Sequence, residues 1–361
     1  MEKLKTLLSI MLLSVIVCFA VSCSEPKMNN DQLATQTSPP TQNSESMVAE
    51  NPFKTTPDNS MVLGSLGHGF FNPELDEKGK RLPLHYNGGE LKIDYFVNAS
   101  GTAKNVGFLI FVNGIAQPYK TATGGNYAYM HIMNLEEDNK DYPFSIVFTP
   151  ITGKKGNILP LTITSVYNPA FKPDMKETSG YGGYHMTLDC TGNIVFEHDT
   201  APLDLLPAQI VLQHVAQTTE PVTQTFLETD LSTYQDVNMT TLDQKIYTKL
   251  YFDDMDMKFG GNLKVAQTGL LHVTYKIVGH PGVKYQSTLY LNHQALTDGQ
   301  CVSFETTLTK GGISVLEANI DLSKIEDFST FYVVSTPCNA DDFPEDVVVL
   351  EKTSSILLYK E

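Results

Sequence analysis

The chain has 361 residues, of which 25 are basic and 41 acidic, so its formal net charge is −16 at pH 7. A polyanionic surface repels nucleic acid and anionic lipid headgroups, so the composition argues against both as partners of the folded part. Hydrophobic residues make up 41% of the chain, which is enough to build the cores of two domains of ordinary size.

Residues 1–23 have the pattern of a secretory signal, because a short basic start precedes an apolar run over residues 7–21. That run is too short for a comfortable transmembrane helix. It ends in Ala20-Val21-Ser22-Cys23, and small residues directly before a cysteine resemble the lipobox of bacterial lipoproteins. The resemblance implies that residues 1–22 are removed and that Cys23 carries acyl chains such as palmitate. An ordinary signal peptide with a chance cysteine is the alternative.

This resemblance places the protein in a cell membrane, anchored by lipid and facing outside the cytoplasm. Removal of residues 1–22 leaves 23 basic and 40 acidic residues, and 23 − 40 gives a mature charge of −17. Membrane attachment must then come from the acyl chains on Cys23, so the lipid bilayer is one expected partner. Another envelope protein or a surface ligand is a second.

Residues 23–60 predict a flexible tether, since Ser, Thr, Asn, Gln and Pro dominate and few apolar residues offset the entropy of ordering. A flexible segment of this length spans roughly 30 Å, which would lift folded domains off a membrane.

From residue 61 onward the pattern is that of β-strands. Leu91, Ile93 and Tyr95 alternate with polar positions, which predicts a half-buried strand. Asn113-Gly114 follows an apolar stretch and predicts a tight two-residue hairpin.

The chain repeats itself in four blocks that keep the same order, which indicates a duplicated domain. Two predicted equivalences are Tyr95 with Tyr275 and Asn113 with Asn292. The blocks pair residues 91–95 with 271–275, 111–114 with 290–293, 144–150 with 331–337 (with Leu135 on Leu322), and 166–167 with 358–359.

Short, regularly spaced strands predict an all-β fold of two tandem antiparallel β-sandwich domains, over residues 61–215 and 216–361. The length of each copy suits an immunoglobulin-like sandwich. The resemblance is to the architecture alone, because the Cys…Trp…Cys pattern of antibody domains is absent.

An extra hairpin is expected near residues 184–199, turning at Thr191-Gly192-Asn193. It would set His185 opposite Asp199, with Glu197 on the same face. One histidine and two carboxylates could hold a transition metal, and ordinary solvated strand polarity explains the same residues.

Asp253, Asp254 and Asp256 form the densest acidic cluster. Oxygen-rich loops at the ends of sandwiches can bind calcium, whereas solvated acidic turns are the commoner case, so no cofactor is expected. Cys301 and Cys338 lie in the same predicted domain and could form a disulfide in an oxidising compartment.

No signature of catalysis stands in the sequence: Gly-x-Ser-x-Gly, His-Glu-x-x-His, Cys-x-x-Cys and a phosphate-binding glycine loop are all missing. We therefore expect a non-catalytic binding or structural module at the cell envelope. The alternative is an envelope enzyme, or a protein that handles a metal or solute, with a site between the domains.

Overall fold

The computed structural model describes residues 64–101, 103–121, 125–170, 185–200, 210–234, 236–257, 261–344 and 348–360. These residues form an all-β protein built from β-sandwiches, as the strand pattern predicts. In this part of the chain, no helix is both long and apolar enough to cross a membrane. The predicted signal, Cys23 and the tether lie outside the described residues.

The first sandwich has two sheets, one in the order β1-β3-β7 and the other in the order β2-β9-β8-β4-β5, with β6 also paired to β4. Its strands are β1 (Ser65–Phe70), β2 (Leu84–Tyr86), β3 (Leu91–Ser100), β4 (Asn105–Val112), β5 (Ile115–Gln117), β6 (His131–Asn134), β7 (Tyr142–Phe148), β8 (Ile158–Tyr167) and β9 (Thr187–Phe196).

The second sandwich contains the strands β10 (Gln213–Pro221), β11 (Ile246–Phe252), β12 (Met255–Asp256), β13 (Gly261–Val265), β14 (Leu270–Gly279), β15 (Lys284–Leu291), β16 (Gln294–Ala295), β17 (Phe304–Thr307), β18 (Gly312–Asp321), β19 (Phe328–Pro337), β20 (Glu351–Lys352) and β21 (Ile356–Lys360). One sheet has the order β10-β18-β14-β11-β12. The other has the order β13-β21-β19-β15-β16, with β17 paired to β15 and β20 to β19.

Both sandwiches follow one strand order. The set β1-β3-β7 corresponds to β11-β14-β18, and β2-β9-β8-β4-β5 corresponds to β13-β21-β19-β15-β16. Even the parallel pairs agree, since β2 runs parallel to β9 and β13 runs parallel to β21. In immunoglobulin-like sandwiches the strand B lies between A and E, and F lies between C and G, as β3 and β8 do here.

Two of the four predicted repeat blocks are confirmed. Tyr95 and Tyr275 occupy the equivalent strands β3 and β14, where both rings are buried. Asn113 and Asn292 occupy the equivalent hairpin turns after β4 and β15, and each has a φ of 48°.

The other two blocks are wrong. Residues 144–150 begin on β7, whereas residues 331–337 lie on β19, whose counterpart is β8. Residues 166–167 lie on β8 and residues 358–359 on β21, whose counterpart is β9. Leu135 precedes β7 and Leu322 follows β18. Core strands share alternating apolar residues, so a match in pattern does not by itself identify the strand.

Each sandwich has its own core, and the alternation predicted for β3 is borne out by its alternately buried side chains. Leu212 belongs to the second core, and its backbone N–H donates to Thr297 O at 2.7 Å. A smaller apolar cluster lies around the short helix α1 (Gln224–Thr229), whose Phe226 and Leu227 are buried.

The two sandwiches pack through the outer faces of the sheets that contain β4 and β15. We call this interface the joint; it is one apolar cluster, built from the buried side chains of Leu109, Phe111, Ala116, Tyr129, Met130, Val166, Tyr290, Ala295, Val302, Tyr332 and Val334. Both sandwiches belong to one compact unit of the chain.

The joint uses the same face of each copy. Phe111 and Tyr290 hold equivalent positions on β4 and β15, and both are fully buried in the joint. The turn after β4 contacts the end of β19, where the Cys338 thiol donates to Asn113 O at 3.3 Å. The turn after β15 contacts the end of β8 in the corresponding way, described below for His293. The joint therefore has an approximate two-fold symmetry within one chain.

Candidate functional site

The hairpin predicted near residues 184–199 is wrong, because β9 runs unbroken through its predicted turn. Thr191 and Gly192 pair with Thr162 and Leu161 of β8. Gly192 does not have the positive φ of a turn glycine. A Cβ added to Gly192 would lie 3.3 Å from the Phe70 ring. The glycine therefore allows the Phe70 ring to pack closely against β9, and it does not reverse the chain.

As a result, His185, Glu197 and Asp199 do not converge. His185 is buried beside the second sandwich, with Nδ1 2.8 Å from Ser355 Oγ. Glu197 lies beyond the far end of β9 with its carboxylate 3.3 Å from His85 Nδ1, and Asp199 accepts from the backbone N–H of Lys155 at 2.8 Å. Within the described ranges, no group of three or more His, Cys, Asp or Glu side chains is arranged to hold a metal ion.

Asp253 and Asp254 form the two-residue turn between β11 and β12, with φ values of 45° and 66°. The Asp253 carboxylate accepts from the backbone N–H of His272 at 3.1 Å, and Asp256 lies 3.7 Å from Lys249 Nζ. These aspartates thus have roles in the turn and its flanking strand. The expectation that no cofactor binds there, with calcium as the alternative, stays a prediction.

The predicted bridge between Cys301 and Cys338 is not formed, since both cysteines are free thiols. Cys338 lies beside Lys284 on the β19 side of β15. Cys301 precedes β17, which pairs with the opposite side of β15 and places Phe304 beside Ser287. The strand β15 therefore separates the two thiols.

A groove opens where the sandwiches meet, and the sequence patterns did not predict it. We call it the joint groove; its volume is about 290 Å³, and it is lined by His185, Met186, Thr187, Lys352, Thr353 and Ser354. Three lining residues are the first residue of β9 and the two residues before it, and the other three are Lys352 of β20 and the two residues after it.

Three basic side chains gather around the joint groove. The rings of His185 and His293 lie 5.6 Å apart at 74° to each other. His293 has Nδ1 3.1 Å from the Tyr332 hydroxyl and Nε2 2.8 Å from Pro169 O. Burial lowers the pKa of His293 to about 4 and the pKa of His185 well below its usual value, so both imidazoles are neutral at pH 7.

Lys352 is the third basic group. Its ammonium donates to Thr353 O at 3.0 Å and to Ser355 Oγ at 3.1 Å, and it lies 4.6 Å from the centre of the Tyr332 ring. Burial lowers the pKa of Lys352 to about 7. The pKa of the adjacent Glu351 is raised to about 7, first by burial and then by the charge of Asp189. The groove therefore offers an amine that a bound anion would hold in its charged form, together with several hydroxyl groups, which is the chemistry of an anion-binding surface.

Comparison with known proteins does not assign the chain to a family. No protein-family model matches the chain, and no curated protein matches it. Two solved structures, titled BspA_C_WT and BspA_C_mut, are each 8% identical to it and align with 80% of this chain. They are covered over 99% and 97% of their own length, with TM-scores of 0.19 and 0.18. At such scores the likeness adds nothing to the fold, which rests on the strand order itself.

Proposed function

We propose that this protein is a lipid-anchored, non-catalytic binding or structural module that faces outside the cytoplasm. The anchor is inferred from Ala20-Val21-Ser22-Cys23, and the residues that follow supply a tether. The folded part is then held at the membrane by this tether and displays its turns and sheet edges to partners.

The joint is the observation that carries the proposed role. Phe111 and Tyr290 are fully buried between the sandwiches. The two copies therefore share one apolar interface and are joined by more than the chain that connects them. A shared interface of this kind holds the turns and edges of both copies at fixed separations. Fixed separations favour a scaffold or a binding module with an extended contact surface.

A second candidate, a solute-handling protein with a site between the sandwiches, is favoured by one observation, the joint groove with Lys352 at its wall. The two roles are compatible, because an anchored module can also bind a small solute.

Fractionation of cells that express Cys23→Ala tests the anchor. We expect the wild-type protein in the membrane fraction, and the variant either released from it or left unprocessed. Cys18→Ala is the matched control, since Val17 precedes Cys18 and a small residue is needed there. A Cys23→Ala protein that is processed and membrane-bound like the wild type would refute the lipid anchor.

A further inference from the structure

We propose that the joint groove binds a small monocarboxylate with an apolar part, whose negative charge is compensated by Lys352. The proposal concerns the folded unit alone and does not depend on the anchor. It rests on the position of one lysine, on the walls around it and on a comparison with two buried lysines of this chain.

The groove has a size that fits a small ligand. Its volume of about 290 Å³ lies at the lower end of the range for ligand pockets, roughly 300–1,000 Å³. Both sandwiches line it, so a bound molecule would contact the start of β9 on one side and β20 on the other.

The half-buried Lys352 lacks the carboxylate partner that two buried lysines of this protein have. Lys120 is buried and lies 2.6 Å from the Glu90 carboxylate, and Lys249 is buried and lies 3.7 Å from Asp256. Lys352 instead donates to two neutral oxygens, and among the described residues no carboxylate forms an ion pair with it. Because an ammonium partly withdrawn from water is stabilised by an opposite charge, an anion in the groove would complete the site.

The other walls define the class of anion. A single ammonium compensates one negative charge, which fits a carboxylate better than a dianionic phosphate. Thr187, Thr353 and Ser354 supply hydroxyl groups, and the Met186 side chain, 69% exposed, supplies an apolar wall. Glu351 precedes Lys352 on β20, so the alternation of a strand directs its side chain to the opposite face.

Titration of the mature protein with isovalerate, observed by saturation-transfer NMR, tests the proposal. We expect saturable binding of isovalerate and none of 3-methylbutan-1-ol, which has the same apolar part and no charge. Lys352→Met should weaken isovalerate binding by roughly tenfold or more, as expected for loss of a charged partner. Lys352→Arg should keep most of the affinity.

Two further variants keep the test decisive. Met186→Trp fills the groove from an exposed position, so it should abolish binding and leave the melting temperature unchanged, even if Lys352→Met fails to fold. Lys284→Met removes an exposed lysine elsewhere on the second sandwich and should not alter binding. Equal binding by wild type and Met186→Trp, equal binding of the alcohol, or preference for inorganic phosphate over isovalerate would overturn the proposal.

Discussion

His293 is held in the joint by its backbone as well as by its ring. It has a φ of 64°, in the left-handed region, where its counterpart in the first sandwich is Gly114. Its two ring nitrogens lie within hydrogen-bonding distance of Tyr332 and Pro169, and burial lowers its pKa to about 4. A neutral, buried imidazole links protonation to the stability of the joint.

His293→Asn should remove part of the acid sensitivity of the protein, since Asn also tolerates a positive φ and does not titrate. Well above pH 6.5 the wild-type ring is neutral whether the chain is folded or unfolded. As the pH falls from 6.5 towards 4, the unfolded chain takes up a proton that the folded chain excludes, so stability is lost, by roughly 2–3 kcal/mol at pH 4.5.

Denaturant unfolding of the wild type and of His293→Asn at pH 7 and pH 4.5 measures this effect. The quantity compared is the loss of unfolding free energy between the two pH values, which should be larger in the wild type. Glu351, with its raised pKa of about 7, stabilises the folded state as the pH falls from 7 to 4.5, opposite to His293. That contribution is common to both proteins and cancels in the comparison. If the unfolding free energies of the two proteins depended on pH in the same way, protonation of His293 would not be linked to the stability of the joint.

Among the elements, the turn between β4 and β5 combines local backbone chemistry with a contact to the other sandwich. Gly114 has a φ of 75°, and an added Cβ would lie 2.8 Å from Gln286 Cβ and 2.9 Å from Thr336 O. The glycine is thus required both for the turn and for the close approach of the second sandwich.

Gly114→Ala should destabilise the protein by roughly 2–4 kcal/mol, because backbone strain adds to a steric clash with the neighbouring sandwich. Gly79→Ala is the matched control, as Gly79 has a φ of 79° and nothing within 4 Å of an added Cβ. The control should lose about 1 kcal/mol of stability, which is the cost of placing alanine at a positive φ without a steric clash. Equal losses in urea denaturation would mean that the joint is not closed at this turn.

Local signals predicted the elements that depend on local chemistry. The alternation of apolar and polar residues predicted β3, and Asn113-Gly114 predicted the turn between β4 and β5. Both signals are local, because a buried strand face and a positive φ each constrain residues close together in the sequence. Gly192 led to the wrong prediction of a hairpin, because a glycine is needed there for the close approach of the Phe70 ring across the sandwich and not for a turn. The joint groove had no local signal, because His185 and Lys352 are brought together only by the packing of the two copies.

For the whole molecule, the joint determines whether the two copies unfold together. Phe111 is fully buried there, so Phe111→Ala should cost roughly 3–5 kcal/mol and weaken the coupling between the sandwiches. We expect one calorimetric transition in the wild type and two in the variant. Phe328→Ala, at a side chain 43% exposed, should change stability by no more than about 0.5 kcal/mol. A single transition in Phe111→Ala, shifted no further than in the control, would contradict this role of the joint.

The approximate two-fold symmetry of the joint has a consequence for dilution. Two separate copies that met through these faces would form a dimer, and a dimer dissociates as its concentration falls. On one chain the second copy is always present at an effective concentration set by the connection, on the order of millimolar for short flexible links. The face-to-face arrangement is therefore maintained however few molecules a cell carries, and the joint groove exists in every single chain.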